Sequence, residues 1–296
     1  MKSGLTSALA LALACVGCSN PAEAELTPSA AGLPPPRCER VTFRDDFDKL
    51  RLYRDTGGIW TPYYPYAGPD EVGSRTLKSN GERQVYVDPR LKGSGARALG
   101  LNPFRVRNGH LQIIAAPVRS EHKAALWGYD YASGLLTTKD AFSQTYGYFE
   151  MRAKMPKGRG LWPAFWLLPA TGKWPPEIDI VEVIGHQPSI VNHAAHWTEG
   201  GKKRDILFPT PRVDTSAGFH TYGVEWTPET IRWFFDGQES ARIATPADLN
   251  QPMYMLLNLA VGGHWPGKVD PKILPAALEV DYVRACALPD QGQSGD

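Results

Sequence analysis

The chain has 296 residues, 32 Lys and Arg against 31 Asp and Glu, and a formal net charge of +1. Such a balance lacks the cationic excess that nucleic-acid binding requires and points to no acidic or basic partner. The length allows one large domain or two small ones, and ten per cent aromatic content with nine tryptophans suits a Trp-rich core or an aromatic sugar-binding cleft.

From the N-terminus, residues 1–24 read as an export signal: Lys2 precedes an apolar stretch from Leu5 to Val16, too short to span a bilayer. Ala22-Glu23-Ala24 offers a small-x-small cleavage site. Val16-Gly17-Cys18-Ser19 instead resembles a lipoprotein box that would lipidate Cys18, although Cys15 stands where such a box usually has Leu or Val. Either route exports the protein to a periplasmic, outer-membrane-anchored or secreted location, where disulfides form. Processing leaves Cys38 and Cys286 as the unmodified cysteines; a disulfide clamping the first and last strands and two unpaired thiols are the alternatives. No later segment is long and apolar enough to be a transmembrane helix. Residues 25–40 form a proline-rich tether, 41–286 one domain and 287–296 a polar tail.

Inside the domain, strand signals recur at Val41-Phe43, Leu111-Ala115, Tyr146-Ala153, Ala164-Leu168, Glu177-Val183, His193-Trp197, Thr221-Trp226, Thr230-Phe235, Met253-Leu259 and Leu278-Arg284. Asn108-Gly109 and Asp236-Gly237 are hairpin pairs. Helical periodicity is confined to one turn near Thr245–Leu249. Many short strands over one domain predict an all-β, two-sheet sandwich of jelly-roll type.

The most informative stretch is Glu177-Ile178-Asp179-Ile180-Val181-Glu182. Its β-branched spacers favour a strand, on which Glu177 and Asp179 share one face and Glu182 falls on the other. A β-bulge of one residue returns Glu182 to the carboxylate side. Three acids on one face repel one another, a cost that suits glycoside hydrolysis, where a retaining enzyme needs a carboxylate nucleophile and a protonated carboxyl about 5–5.5 Å apart. The bland alternative is an edge strand with solvated acids.

The hexapeptide follows Gly160-Leu161-Trp162-Pro163-Ala164-Phe165-Trp166-Leu167-Leu168-Pro169 and Trp174-Pro175-Pro176. Further on come Phe219-His220-Thr221-Tyr222-Gly223-Val224-Glu225-Trp226, Trp233-Phe234-Phe235-Asp236-Gly237 and Leu257-Asn258-Leu259-Ala260-Val261-Gly262-Gly263. This ordered set, from about Phe43 to Val283, resembles glycoside hydrolase family sixteen, with the bulged form of its acid motif found in laminarinases. The Trp-Pro-Pro lead-in resembles bacterial enzymes that trim succinoglycan-like exopolysaccharides.

That resemblance implies a jelly roll with a substrate cleft across its concave sheet, Glu177 as nucleophile, Glu182 as general acid and base, and Asp179 between them tuning both. It implies that His196, on the neighbouring strand, hydrogen-bonds a catalytic carboxyl; His193 faces the other way and is structural. Trp174 and Trp265 are candidates for sugar stacking. Of Trp162 and Trp166 at least one is core and the other a candidate for the cleft. Asn80 and Glu82 match a family segment near the cleft, and the aromatic loop Trp60 with Tyr63–Tyr66 is a candidate for distal subsites. Asp46 and Asp281 match acids of a structural calcium site; no metal or other cofactor is implied for catalysis. The expected activity is that of a monomeric retaining endo-β-glycanase acting on β-1,3 or mixed β-1,3/β-1,4 linkages of a glucan or bacterial exopolysaccharide. A lectin-like sandwich, a transglycosylase with the same carboxylates and a metal-dependent hydrolase are the competing readings; the last lacks a suitable histidine pair.

Overall fold

Short β-branched and aromatic runs, broken by glycine, proline and Asx turns, fold into sixteen strands in the computed structural model, which describes Cys38 and residues 40–288. The export signal, Cys18, most of the tether and residues 289–296 lie outside the described residues. In chain order the strands are β1 (Arg40–Asp45), β2 (Gln84–Tyr86), β3 (Phe104–Arg107), β4 (His110–Pro117), β5 (Tyr131–Ser133), β6 (Leu135–Thr137), β7 (Gly147–Lys154) and β8 (Leu161–Pro169). They continue as β9 (Glu177–Glu182), β10 (Ile190–Glu199), β11 (Lys202–Pro211), β12 (His220–Trp226), β13 (Thr230–Phe235), β14 (Gln238–Ala244), β15 (Met253–Val261) and β16 (Ala276–Ala287).

Ten strands build one sheet in the order β14-β13-β12-β7-β16-β4-β5-β2, with β1 on β16 and β3 on β4; six build the other, β11-β10-β9-β8-β15-β6. The jelly-roll expectation holds. One core lies between the sheets, with Phe149, Met151, Val224 and Trp233 from the larger and Phe165, Ile178, Ile180 and Leu257 from the smaller. A second cluster, including Tyr64, Tyr86, Trp166 and Tyr254, covers part of the opposite face of the six-stranded sheet. Both faces of β8 and β15 are therefore buried, which is why their sequences read as continuous apolar runs.

Both expected hairpins form. Asn108-Gly109 and Asp236-Gly237 adopt positive φ at both residues, as a type I′ turn requires. Gly200-Gly201 does the same between β10 and β11, a hairpin hidden in the sequence because Lys202, Lys203 and Arg204 open the next strand. Near Thr245–Leu249 the expected single turn forms as a β-turn, closed by Leu249 N–H to Pro246 O at 3.0 Å; among the described residues the one α-helical turn is Ser120–Lys123. Of the cysteine alternatives, the disulfide forms. Cys38 and Cys286, 248 residues apart in sequence, have Cα atoms 5.4 Å apart and tie the segment entering β1 to the end of β16.

Candidate active site

Strand β9 lies between β8 and β10, so its register is set from both sides. Asp179 pairs with Trp166 and Ala194, and Glu182 with Ala164 and Asn192. Three steps along β9 thus match two steps along each neighbour. The extra residue is the expected bulge, and it brings Glu182 to the face that carries Glu177 and Asp179. All three acids line a cleft of about 610 Å³ with Trp162, Trp174, His196 and Trp265. Ala164, Ala194 and Ala260 also line it, and their small side chains leave room above the sheet.

Each glutamate has its own indole donor. Trp174 Nε1 donates to Glu177 Oε2 at 2.8 Å and Trp162 Nε1 to Glu182 Oε1 at 2.9 Å. His196, directly opposite Glu177 in the ladder, places Nε2 3.2 Å from Asp179 Oδ2 and 3.8 Å from Glu177 Oε1. Burial, then the charge of Asp179, holds both glutamates well above the usual carboxylate range, and the indole N–H groups pull in the opposite direction. For His196, burial disfavours the cation, but Asp179 outweighs it and raises the imidazole. Asp179 is buried between its neighbours, a like charge to both glutamates and the counter-charge of His196.

The tryptophans divide by role. Trp162 is half-buried beside Glu182, whereas Trp166 is buried and donates to Asn258 Oδ1 at 2.8 Å. Trp174 and Trp265 are among the exposed large apolar residues, as are Tyr66 and Leu207, and all four line the cleft. Lys203 Nζ sits 4.2 Å from the Trp174 ring centre, so one indole face is already covered. Trp265 meets Trp162 edge-on at 5.5 Å.

Asn80 and Glu82 also line the cleft, but Glu82 is buried and its carboxylate accepts from Leu77 N–H at 3.0 Å and Gln84 Nε2 at 2.6 Å. It organises the 77–84 loop. Asn80 O accepts from His264 N–H at 2.8 Å, joining that loop to the Trp265 loop. The aromatic loop splits: Tyr64 and Tyr66 reach the cleft, while Trp60 is fully buried and donates to Asp45 Oδ2 at 2.9 Å. Trp60 is therefore a core residue, and its assignment to a distal subsite is corrected.

The calcium expectation fares poorly on its donors. The Asp46 carboxylate is bound by the Arg44 guanidinium, and Asp281 is paired with Arg152 and His110. Both carboxylates are already neutralised by cations, so these two residues do not fit a Ca²⁺ site. Among the described residues the one His/Cys/Asp/Glu group close enough to share a cation is Glu177, Asp179 and His196 themselves.

Asn258, Asp205 and Leu207 line the cleft although the sequence did not single them out. Asn258 had a readable signal, a lone amide in the apolar run Met253–Val261. The other two lie on β11, whose charges and two prolines disguised it as a loop.

A two-sheet β-sandwich with three carboxyl groups on one bulged strand at the floor of an aromatic-walled cleft is the scaffold of a glycoside hydrolase. The chain belongs to glycosyl hydrolases family 16, whose model matches residues 106–284. It is 47% identical over 247 residues to the endo-1,3-1,4-beta-glycanase ExsH of Rhizobium meliloti and 48% identical over 247 residues to EglC of the same organism. Those matches cover 83% of this chain and 51% of each relative, so the chain spans about half their length. The laminarinase of Rhodothermus marinus superimposes with a TM-score of 0.66 at 33% identity, over 85% of this chain and 98% of that one.

Proposed function

We propose that this chain is a retaining endo-β-glycanase that hydrolyses internal β-1,3 or mixed β-1,3/β-1,4 linkages of a glucan or bacterial exopolysaccharide. The observation that carries the reading is the bulge, which turns Glu182 onto the cleft face beside Glu177 and Asp179. Family membership and the endo-1,3-1,4-beta-glycanase activity of the two Rhizobium relatives support the bond class.

In the first step a Glu177 oxygen attacks the anomeric carbon while Glu182 gives its proton to the departing glycosidic oxygen. Glu182 then takes a proton from water as that water attacks the same carbon and frees Glu177. Burial and the charge of Asp179 keep Glu182 protonated for the first step. The two indole N–H groups and His196 hold the carboxyls in place, and no metal takes part. Export as a monomer, with or without lipid at Cys18, suits a polymer substrate, and the Cys38–Cys286 disulfide is consistent with an oxidising compartment. Among the described residues no helix is long and apolar enough to cross a membrane.

The test is reducing-end release from laminarin, mixed-linkage β-glucan and succinoglycan, beside Glu177→Gln. Activity on at least one polymer, lost in the variant with the fold retained, is the expected result. Near-wild-type activity of Glu177→Gln would overturn the nucleophile assignment. Silence on all three with retained binding would favour the lectin-like reading.

A further inference from the structure

The bulge on β9 interrupts the backbone ladder behind the site, and side chains meet the carbonyls along it. Trp233 Nε1 donates to Asp179 O at 2.9 Å, and His193 Nδ1 lies 2.7 Å from Ile180 O. Asn192 Nδ2 donates to Glu182 O at 3.2 Å. These donors come from different places: Asn192 and His193 from β10 alongside, Trp233 from β13 in the opposite sheet. The core is thus hydrogen-bonded into the catalytic strand across the sandwich.

His193 is the unusual member. It is fully buried, its ring rests 6.2 Å from that of Trp233, and its Nε2 has no hydrogen-bond partner. Burial lowers its pKa to about 4, so at neutral pH the ring holds one proton. A carbonyl only accepts, so that proton is on Nδ1. An apolar residue would fill the same volume without burying an unpaired ring nitrogen, a cost that follows from the desolvation of polar groups. The imidazole supplies what an apolar residue lacks, a donor at the carbonyl of the extra residue.

We propose that His193 and Trp233 are positioning residues for Glu182: they lock the Asp179–Ile180 bulge from inside the core and so fix where the general acid's carboxyl stands in the cleft. The inference rests on the reading of Glu182 as the general acid. It assigns a function-linked role to a histidine that faces away from the substrate. Without the clamp the bulge can migrate or flatten, and a one-residue register slip sends a side chain to the opposite face. The carboxyl of Glu182 then loses its reach to the glycosidic oxygen, while Glu177, three residues before the bulge residue and held by Trp174, keeps its own.

The readout is dependence on the leaving group. His193→Leu (no donor), His193→Asn (an amide donor close to the place of Nδ1), Trp233→Phe and Glu182→Ala are compared on mixed-linkage β-glucan and on a 2,4-dinitrophenyl β-glycoside of its disaccharide unit. The dinitrophenolate departs without a proton, so formation of the glycosyl-enzyme from it does not need the acid. Glu182→Ala is expected to lose about 10²–10⁴-fold on the glucan and far less on the aryl glycoside in the pre-steady-state burst. His193→Leu should show the same asymmetry in milder form, about 10–100-fold on the glucan, the scale of an ångström's misplacement, and His193→Asn should recover most of it. Thermal midpoints establish that each variant is folded, and Trp233→Phe carries the test if His193→Leu is not. Equal losses on both substrates, or none, in the folded donor-deleted variants would overturn the positioning role and leave Glu182's role intact. Absence of asymmetry in Glu182→Ala itself would overturn both.

Discussion

The Trp174 indole N–H donates to Glu177 Oε2 at 2.8 Å, so a residue that the sequence offers as a sugar platform is also a hydrogen-bond donor to the proposed nucleophile. Its ring is capped on one side by Lys203, which makes the N–H the better-supported half of its role. A hydrogen bond to the charged form favours ionisation, and Glu177 must be ionised to attack. Trp174→Phe keeps a ring and removes the donor. The acidic limb of the kcat/KM–pH profile should move to higher pH, with a loss of about tenfold near that limb, the rate equivalent of a hydrogen bond of ~1.4 kcal/mol. An unmoved limb would deny the N–H this role.

Burial and the charge of Asp179 favour the protonated form of Glu182 at the expense of fold stability. Its folded pKa is raised, chiefly by burial and then by the charge of Asp179. Between the unfolded pKa and that raised value the native state binds the extra proton, so stability falls as pH rises through this window. Glu182→Gln removes the titration while keeping the shape. It should inactivate the enzyme and stabilise it by about 0.5–2 kcal/mol at neutral pH. The gain should shrink as pH falls towards the unfolded carboxyl's value of about 4.3 and vanish below it, where the wild-type carboxyl is protonated in both states. Calorimetry of both proteins across pH reads this directly, and a gain that grows on acidification would contradict it.

Two residues of one aromatic loop should respond in opposite ways. Trp60 is fully buried between Phe43 and Phe47 and anchors Asp45. Trp60→Ala should cost about 3–5 kcal/mol of stability. Tyr66 stacks on Tyr64 at 5.2 Å but stands 47% exposed in the cleft wall. Tyr66→Ala should raise KM by up to about tenfold, the scale of an aromatic contact, with stability shifted by no more than about 0.5 kcal/mol. Denaturant titrations and Michaelis kinetics of both variants separate the two roles.

The Cys38–Cys286 bridge closes a loop of nearly the whole domain. Replacing both cysteines by serine should lower stability by about 2–5 kcal/mol, about 2–4 °C of midpoint per kcal/mol for a domain of this size. The kcat at low temperature should be unchanged, because neither cysteine lines the cleft. A loss of kcat without a loss of stability would show that the bridge acts on the site itself.

Much of this was legible in one dimension. Alternation, turn pairs and the absence of helical periodicity specify an all-β sandwich, because a strand's burial pattern is a local property of its side chains. The bulge too could be read, since Glu177, Asp179 and Glu182 share a face only if one residue is inserted. What the sequence left open depended on contacts between distant segments. That Trp60 is core and Tyr66 is wall follows from which way a non-repetitive loop folds back. That Asp281 is engaged by Arg152 and His110 rather than left to a cation follows from cross-strand neighbours. His193 looked inert because its partner, the Ile180 carbonyl, is backbone and carries no sequence signal. The acids were determined by the chain; where they point, and what holds them there, was decided by the packing of two sheets.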